Sequence, residues 1–208
     1  MRLWRPTGLR EMALVYESSL RAFPPRLPGQ DIFYPVLDPG YADQIARDWN
    51  TKQDSFAGYV LRFEVPDEFA LQFGPHVVGA PEHQELWVPA SQLSDFNRRI
   101  VGAIEVERAF FGKDFKGHVP TKFGLQGVNA LEQPKRMLAT LDYSRFDFHM
   151  EISANAMTFF LNFPFWMASP ASHLGLTDAE HQRFLQAIEQ DWGLYPKLAP
   201  LPKVGAAA

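Results

Sequence analysis

Cysteine is absent from this chain of 208 residues. That excludes disulfides, thiolate nucleophiles and Cys-ligated zinc. Long apolar runs are absent too: the stretch from Met157 to Met167 is too short for a membrane span and holds Asn162 and Pro164. No association with a membrane is expected. Positive residues are scattered and the net charge is −4, so the basic stripe of electrostatic nucleic-acid capture is lacking. A nucleic acid held by a few local contacts stays open. No Gly-rich phosphate loop, nucleophile elbow or paired metal motif occurs. The opening Met1-Arg2-Leu3-Trp4-Arg5-Pro6 lacks the apolar run of a signal peptide, and a cytoplasmic location is expected.

Large apolar side chains are plentiful. Eighteen Phe, five Trp and six Tyr, with 46% hydrophobic and 21% charged residues, give a globular chain the means to build a core. The texture changes near residue 110. Residues 1–110 alternate short strands and short helices, which predicts an α+β core. Residues 111–195 predict a mainly helical, aromatic-rich extension packed on that core, and 196–208 a loose tail ending Gly205-Ala206-Ala207-Ala208.

In the first half Leu3-Trp4-Arg5 reads as a strand, and Thr7 as the cap of a helix running to about Leu20. Leu9, Met12, Ala13, Tyr16 and Leu20 fall at helical spacing on it. Phe23-Pro24-Pro25-Arg26-Leu27-Pro28-Gly29 must be a stiff loop, because its prolines remove donors and fix φ. Ile32-Phe33-Tyr34 reads as a strand. Asp38-Pro39 opens a helix with Tyr41, Ile45 and Trp49 as its buried face. Gly58 to Val65 alternates, with Tyr59, Leu61, Phe63 and Val65 on one side. Leu86–Val88 reads as a strand, Leu93–Arg99 as a helix and Gly102–Val106 as a closing strand. In the second half a helix is expected over Pro134–Leu141. Another starts at Thr177, where Thr177-Asp178-Ala179-Glu180 forms a capping box before a stripe of Phe184, Leu185, Ile188 and Trp192. The aromatic block Phe159–Trp166 suits core packing better than a recognition surface.

The best candidate for a working carboxylate is Glu85, in His83-Gln84-Glu85-Leu86-Trp87-Val88-Pro89. Period-2 alternation turns His83, Glu85 and Trp87 to one side of the strand. A carboxylate at a strand mouth beside an aromatic ring is well placed to face a cleft, the plain alternative being that it solvates a strand end.

The order of the surrounding segments carries more information. Trp4-Arg5-Pro6-Thr7 comes first, then Leu20-Arg21-Ala22-Phe23-Pro24-Pro25, then Ile32-Phe33-Tyr34, and finally Glu85-Leu86-Trp87-Val88-Pro89. This series, over residues 1 to about 107, resembles the ADP-ribosyltransferase superfamily, in particular the branch shared with the poly-ADP-ribose polymerases. The resemblance implies a split β-sheet core that binds NAD as a substrate and transfers its ADP-ribose to an acceptor, which the sequence does not name. It implies that Glu85 is catalytic, that Arg5 and Thr7 stand in the first NAD-binding motif, and that Tyr34 lines the nicotinamide pocket. Scission of the nicotinamide–ribose bond passes through an oxocarbenium-like ribose, which an aimed carboxylate stabilises. Arg26, in the Pro-rich loop, is placed either to contact the NAD pyrophosphate or to be solvated.

Three departures bear on this expectation. Pro6 replaces a Gly whose amide meets the nicotinamide carboxamide, leaving the Arg5 amide as the available donor. His83 stands two residues before Glu85, where arginine-modifying members carry Glu or Gln, so His83 is the candidate for acceptor selection and arginine is not the expected acceptor. The aromatic that stacks on nicotinamide from the second helix has Tyr41 as its nearest counterpart, at a spacing that suits the core. Two other readings remain: an NAD- or partner-binding protein on the same fold without turnover, and a metal-dependent hydrolase using His83 and Glu85, with His76 completing a two-His, one-carboxylate set only if the fold brings it to them.

Overall fold

Residues 1–204 are described by a computed structural model; the expected loose end Gly205–Ala208 lies outside them. The chain is α+β and divides after Gly112 into two units. No helix among the described residues is long and apolar enough to cross a membrane.

The first unit opens with strand β1 (Arg2–Thr7) and helix α1 (Leu9–Glu17). Thr7 is therefore not the helix cap. It belongs to the strand, and Gly8 occupies the N-cap position with no side-chain bond. Helix α1 also stops three residues before Leu20, which is buried but lies beyond the helix at φ 59°. The Pro-rich segment is a loop, followed by β2 (Ile32–Phe33). Helix α2 (Pro39–Asp48) begins as expected: the Asp38 carboxylate accepts from the Tyr41 amide at 2.8 Å, and proline takes the first helical position. Then come β3 (Ala57–Glu64), the single turn α3 (Asp67–Ala70), β4 (Pro75–Val77), β5 (Gln84–Leu86), β6 (Val88–Pro89), α4 (Leu93–Arg98) and β7 (Val101–Phe111).

Strands β1, β3 and β7 form an antiparallel sheet in that order, with Arg5 opposite Leu61 and Leu61 opposite Val106. The expected strand from Leu86 to Val88 is two strands: β5 pairs with β4 and β6 with β2, so the chain changes partner at Trp87. On β3, Tyr59, Leu61 and Phe63 are buried as the alternation requires. Val60, on the other side, is buried too, because α2 covers it. Gly58 allows that approach: a Cβ there would stand 2.1 Å from the Ala46 carbonyl oxygen. The remaining core is aromatic, with Phe23 4.8 Å from Phe33 and 4.9 Å from Phe63, and Phe33 5.7 Å from Phe96. Edge and tilted contacts of this kind bury much apolar area in fixed geometry.

The second unit, from Lys113, holds helices α5 (Gln133–Tyr143), α6 (Arg145–Ala154), α7 (Ala156–Ala168) and α8 (Asp178–Trp192). The aromatic block lies in α7, which is buried continuously from Thr158 to Trp166 and so is core rather than surface. Its one amide, Asn162, is satisfied by His118 and Gln133. The capping box at Thr177 forms in both directions. The tail over 196–204 is not loose: Trp192 Nε1 donates to the Ala199 carbonyl at 2.9 Å, and Leu201 is buried.

Candidate active site

One backbone residue joins β1 to β5. Trp4 N–H donates to the Val36 carbonyl at 2.9 Å, Val36 N–H returns to Trp4 at 2.8 Å, and Val36 bridges Glu85 on its other side. Beyond Trp4 the edge of β1 from Arg5 to Thr7 has no strand beside it among the described residues. A cavity of about 670 Å³ opens there, within the range of small-molecule sites.

Arg5, Thr7, Arg26, Tyr34 and Glu85 all line this cavity. His83 does not. Its ring stacks on Tyr41, with centroids 4.1 Å apart and planes at 11°. Trp87 lines the cavity beside Tyr34, the two rings meeting edge-on at 6.1 Å.

Helix α2 forms another wall. Of the expected core face Tyr41, Ile45 and Trp49, Tyr41 is buried with Ala42 and Ala46 in the cluster around Val60 and Ile45 packs against it, but Trp49 is not core. The Tyr41–Ile45–Trp49 ridge lines the cavity, with Trp49 53% exposed. Tyr41 serves both: it is 5% exposed, and its hydroxyl donates to Glu85 Oε1 at 3.0 Å. Burial, then the Glu85 charge and this hydrogen bond, push the Tyr41 hydroxyl up to about 12. It is a fixed donor at ordinary pH.

The residue that the sequence reading missed is Glu11, from the first turn of α1. Its two oxygens each accept from Arg5 at 2.9 Å, and Oε2 lies 3.8 Å from Arg26. Burial raises the Glu11 carboxyl, but the Arg5 charge and hydrogen bonds, followed by Arg26, outweigh it and hold the group below its usual range. Arg26 is anchored through Nε to the Ile32 carbonyl at 3.1 Å; burial, then the Arg5 charge, lowers its pKa. Arg26 is thus part of the cavity wall and not a solvated loop residue. Arg5 lies over the Phe33 ring at 5.2 Å, with its Nη1 3.4 Å from the Tyr34 carbonyl. Most of its donors are therefore engaged, and it presents a fixed charge to the cavity rather than a free fork. The Thr7 hydroxyl oxygen beside this cluster is buried and makes no hydrogen bond of normal geometry among the described residues. The signal that could have found Glu11 is charge arithmetic: two arginines on an apolar wall require an anion, and the nearest acid along the chain from Arg5 opens the next helix.

Pro6 is tolerated in mid-strand because of its edge. Trp4 directs both its backbone groups to Val36, so alternation turns those of Arg5 toward β3 and those of Pro6 toward the cavity. The Arg5 amide is consequently not the free donor expected from the sequence. At this edge β1 offers the Pro6 carbonyl alone.

His76 and His83 stack on different rings, Trp87 and Tyr41. Among the described residues no group of three His, Asp or Glu is placed to hold a metal ion. No family model, curated protein or solved structure matches the chain.

Proposed function

We propose that the first unit binds NAD in this cavity and transfers ADP-ribose to an acceptor, on a split-sheet core of the ADP-ribosyltransferase kind. The observation that carries the reading is convergence. Arg5, Thr7, Tyr34 and Glu85 come from three separated segments and line one cavity, together with Arg26 from the Pro-rich loop. In this reaction the bond from the ribose C1′ to the nicotinamide nitrogen breaks, and its electron pair neutralises the pyridinium. The acceptor's lone pair forms the new bond to C1′ and its proton leaves, with water as acceptor giving hydrolysis. Glu85 stabilises the positive charge that develops on the ribose. Tyr41 holds Oε1, which leaves the second carboxylate oxygen for a ribose hydroxyl. Arg5 and Arg26 outnumber Glu11 and give that wall a net positive charge suited to a pyrophosphate.

The test is release of nicotinamide from NAD by the full chain. Glu85→Gln should lower the rate by about 100- to 1,000-fold while leaving NAD affinity within a few-fold. Release that is unaffected by Glu85→Gln overturns the reading. A second reading, NAD binding without turnover, is favoured by Pro6, which gives the open edge no N–H for the carboxamide. Calorimetric binding of NAD with no nicotinamide released in the presence of candidate acceptors would select it.

A further inference from the structure

The cavity extends well past the catalytic end. Tyr41, Ile45 and Trp49 recur once per turn along one side of α2, so Trp49 lies about 12 Å along the helix axis from Tyr41 and hence from the Glu85 end. That span is too long for nicotinamide and its ribose alone, and it suits the second half of a dinucleotide. At the Trp49 end the lining turns polar: Asn50, Gln53 and Asp54 follow Trp49, and Arg10 of α1 lines the same cavity. Among the described residues the side-chain amides of Asn50 and Gln53 have no hydrogen-bond partner.

Trp49 is exposed, but its backbone is fixed. Its N–H donates to the Ile45 carbonyl at 3.1 Å, and its carbonyl accepts from Lys52 at 3.0 Å. The loop that follows is held against the end of β7. Gly112 donates to the Phe56 carbonyl at 2.9 Å and lies so close to Thr51 that a Cβ would stand 2.3 Å from the Thr51 carbonyl oxygen. Asp54 and Phe56 adopt φ of 46° and 53°, a strained pair that this packing maintains. A large flat ring is therefore presented to a cavity from a backbone held by hydrogen bonds on both sides, with amide donors and acceptors beside it.

We infer that Trp49 is a stacking platform for a nucleobase, with the Asn50 and Gln53 amides at the base edge and Arg10 toward the phosphates. The inference rests on the NAD reading for the identity of the ligand, the base being the adenine of NAD. A base-stacking ring contributes through its face and tolerates the identity of the base, whereas the amides confer the preference for one edge pattern.

The experiment measures binding of ADP and of nicotinamide mononucleotide to the full chain by calorimetry. Trp49→Ala should weaken ADP about 10-fold or more and leave nicotinamide mononucleotide within about two-fold; Trp49→Phe should recover most of the loss. An ADP affinity indifferent to Trp49→Ala, equal weakening of both ligands, or no ADP binding by the native chain overturns the inference. Failure of the NAD reading looks different. If nicotinamide is never released yet ADP affinity still depends on Trp49, the transferase assignment fails and the base platform stands.

Discussion

Glu11→Gln is the perturbation that most directly tests the account of the cavity wall. The Glu11 carboxylate has a side chain 20% exposed and stands between Arg5 at 13% and Arg26 at 12%. Gln keeps the shape and one acceptor but removes the charge, leaving two largely buried guanidinium groups without an anion between them. Removing one partner of a buried pair typically costs about 3–5 kcal/mol. Here the Phe33 face under Arg5 and the Ile32 carbonyl on Arg26 persist, and the open cavity admits water. A loss of about 2–4 kcal/mol is therefore expected. In urea this corresponds to a midpoint lowered by roughly 1–2 M for the transition of the first unit. The pH dependence fixes the sign. The Glu11 carboxyl is held below its ordinary range by Arg5 and Arg26, so its stabilising contribution is full above the unfolded carboxyl's pKa and is lost as pH falls through the lower folded value. The gap between native and Glu11→Gln should be complete at pH 7 and should narrow progressively below about pH 4.5. Equal midpoints at pH 7, or a gap that stays constant into acid, would refute the reasoning.

Two further outcomes follow from the same geometry. Tyr41→Phe removes the donor to Glu85 while keeping the ring that stacks on His83. A hydrogen bond to a charged group contributes about 1.5–3 kcal/mol, so kcat for nicotinamide release should fall about 10- to 100-fold with KM little changed. Because the Tyr41 hydroxyl is held up to about 12, the native rate should show no alkaline fall from this group below about pH 11; steady-state kinetics across pH checks both. Gly58→Ala sets a methyl against the Ala46 carbonyl oxygen and should destabilise the first unit by at least about 1–3 kcal/mol, read by thermal unfolding. A stable Gly58→Ala protein would mean that α2 sits farther from β3 than described.

Local chemistry was the legible part of the sequence. Asp38-Pro39 and the box at Thr177 are self-contained signals, and both caps form as read. Thr7 misled because a cap residue and a strand end look alike until the strand's partner is known, and here β3 pairs as far as Thr7. The break at Trp87 was invisible because β5 and β6 are contiguous in sequence and differ only in their distant partners. Periodicity correctly grouped Tyr41, Ile45 and Trp49, but an apolar stripe along a cavity and one along a core have the same spacing. Glu11 carried no motif at all. Its importance arises from two arginines, 6 residues before and 15 after it, that only the fold brings together.

The Val36 junction has a consequence for how such a cavity changes over time. Trp4, Val36 and Glu85 are held to one another by main-chain groups, which every amino acid except proline supplies. The register that sets the Glu85 backbone across Val36 from that of Trp4 is therefore independent of the side chains that face the cavity. Those side chains can be exchanged, one substrate preference for another, without re-aligning the strands that carry them. Frame and chemistry are thus separable in this chain, and Pro6 illustrates it: the residue gives the open edge no N–H, while the ladder behind it stays intact.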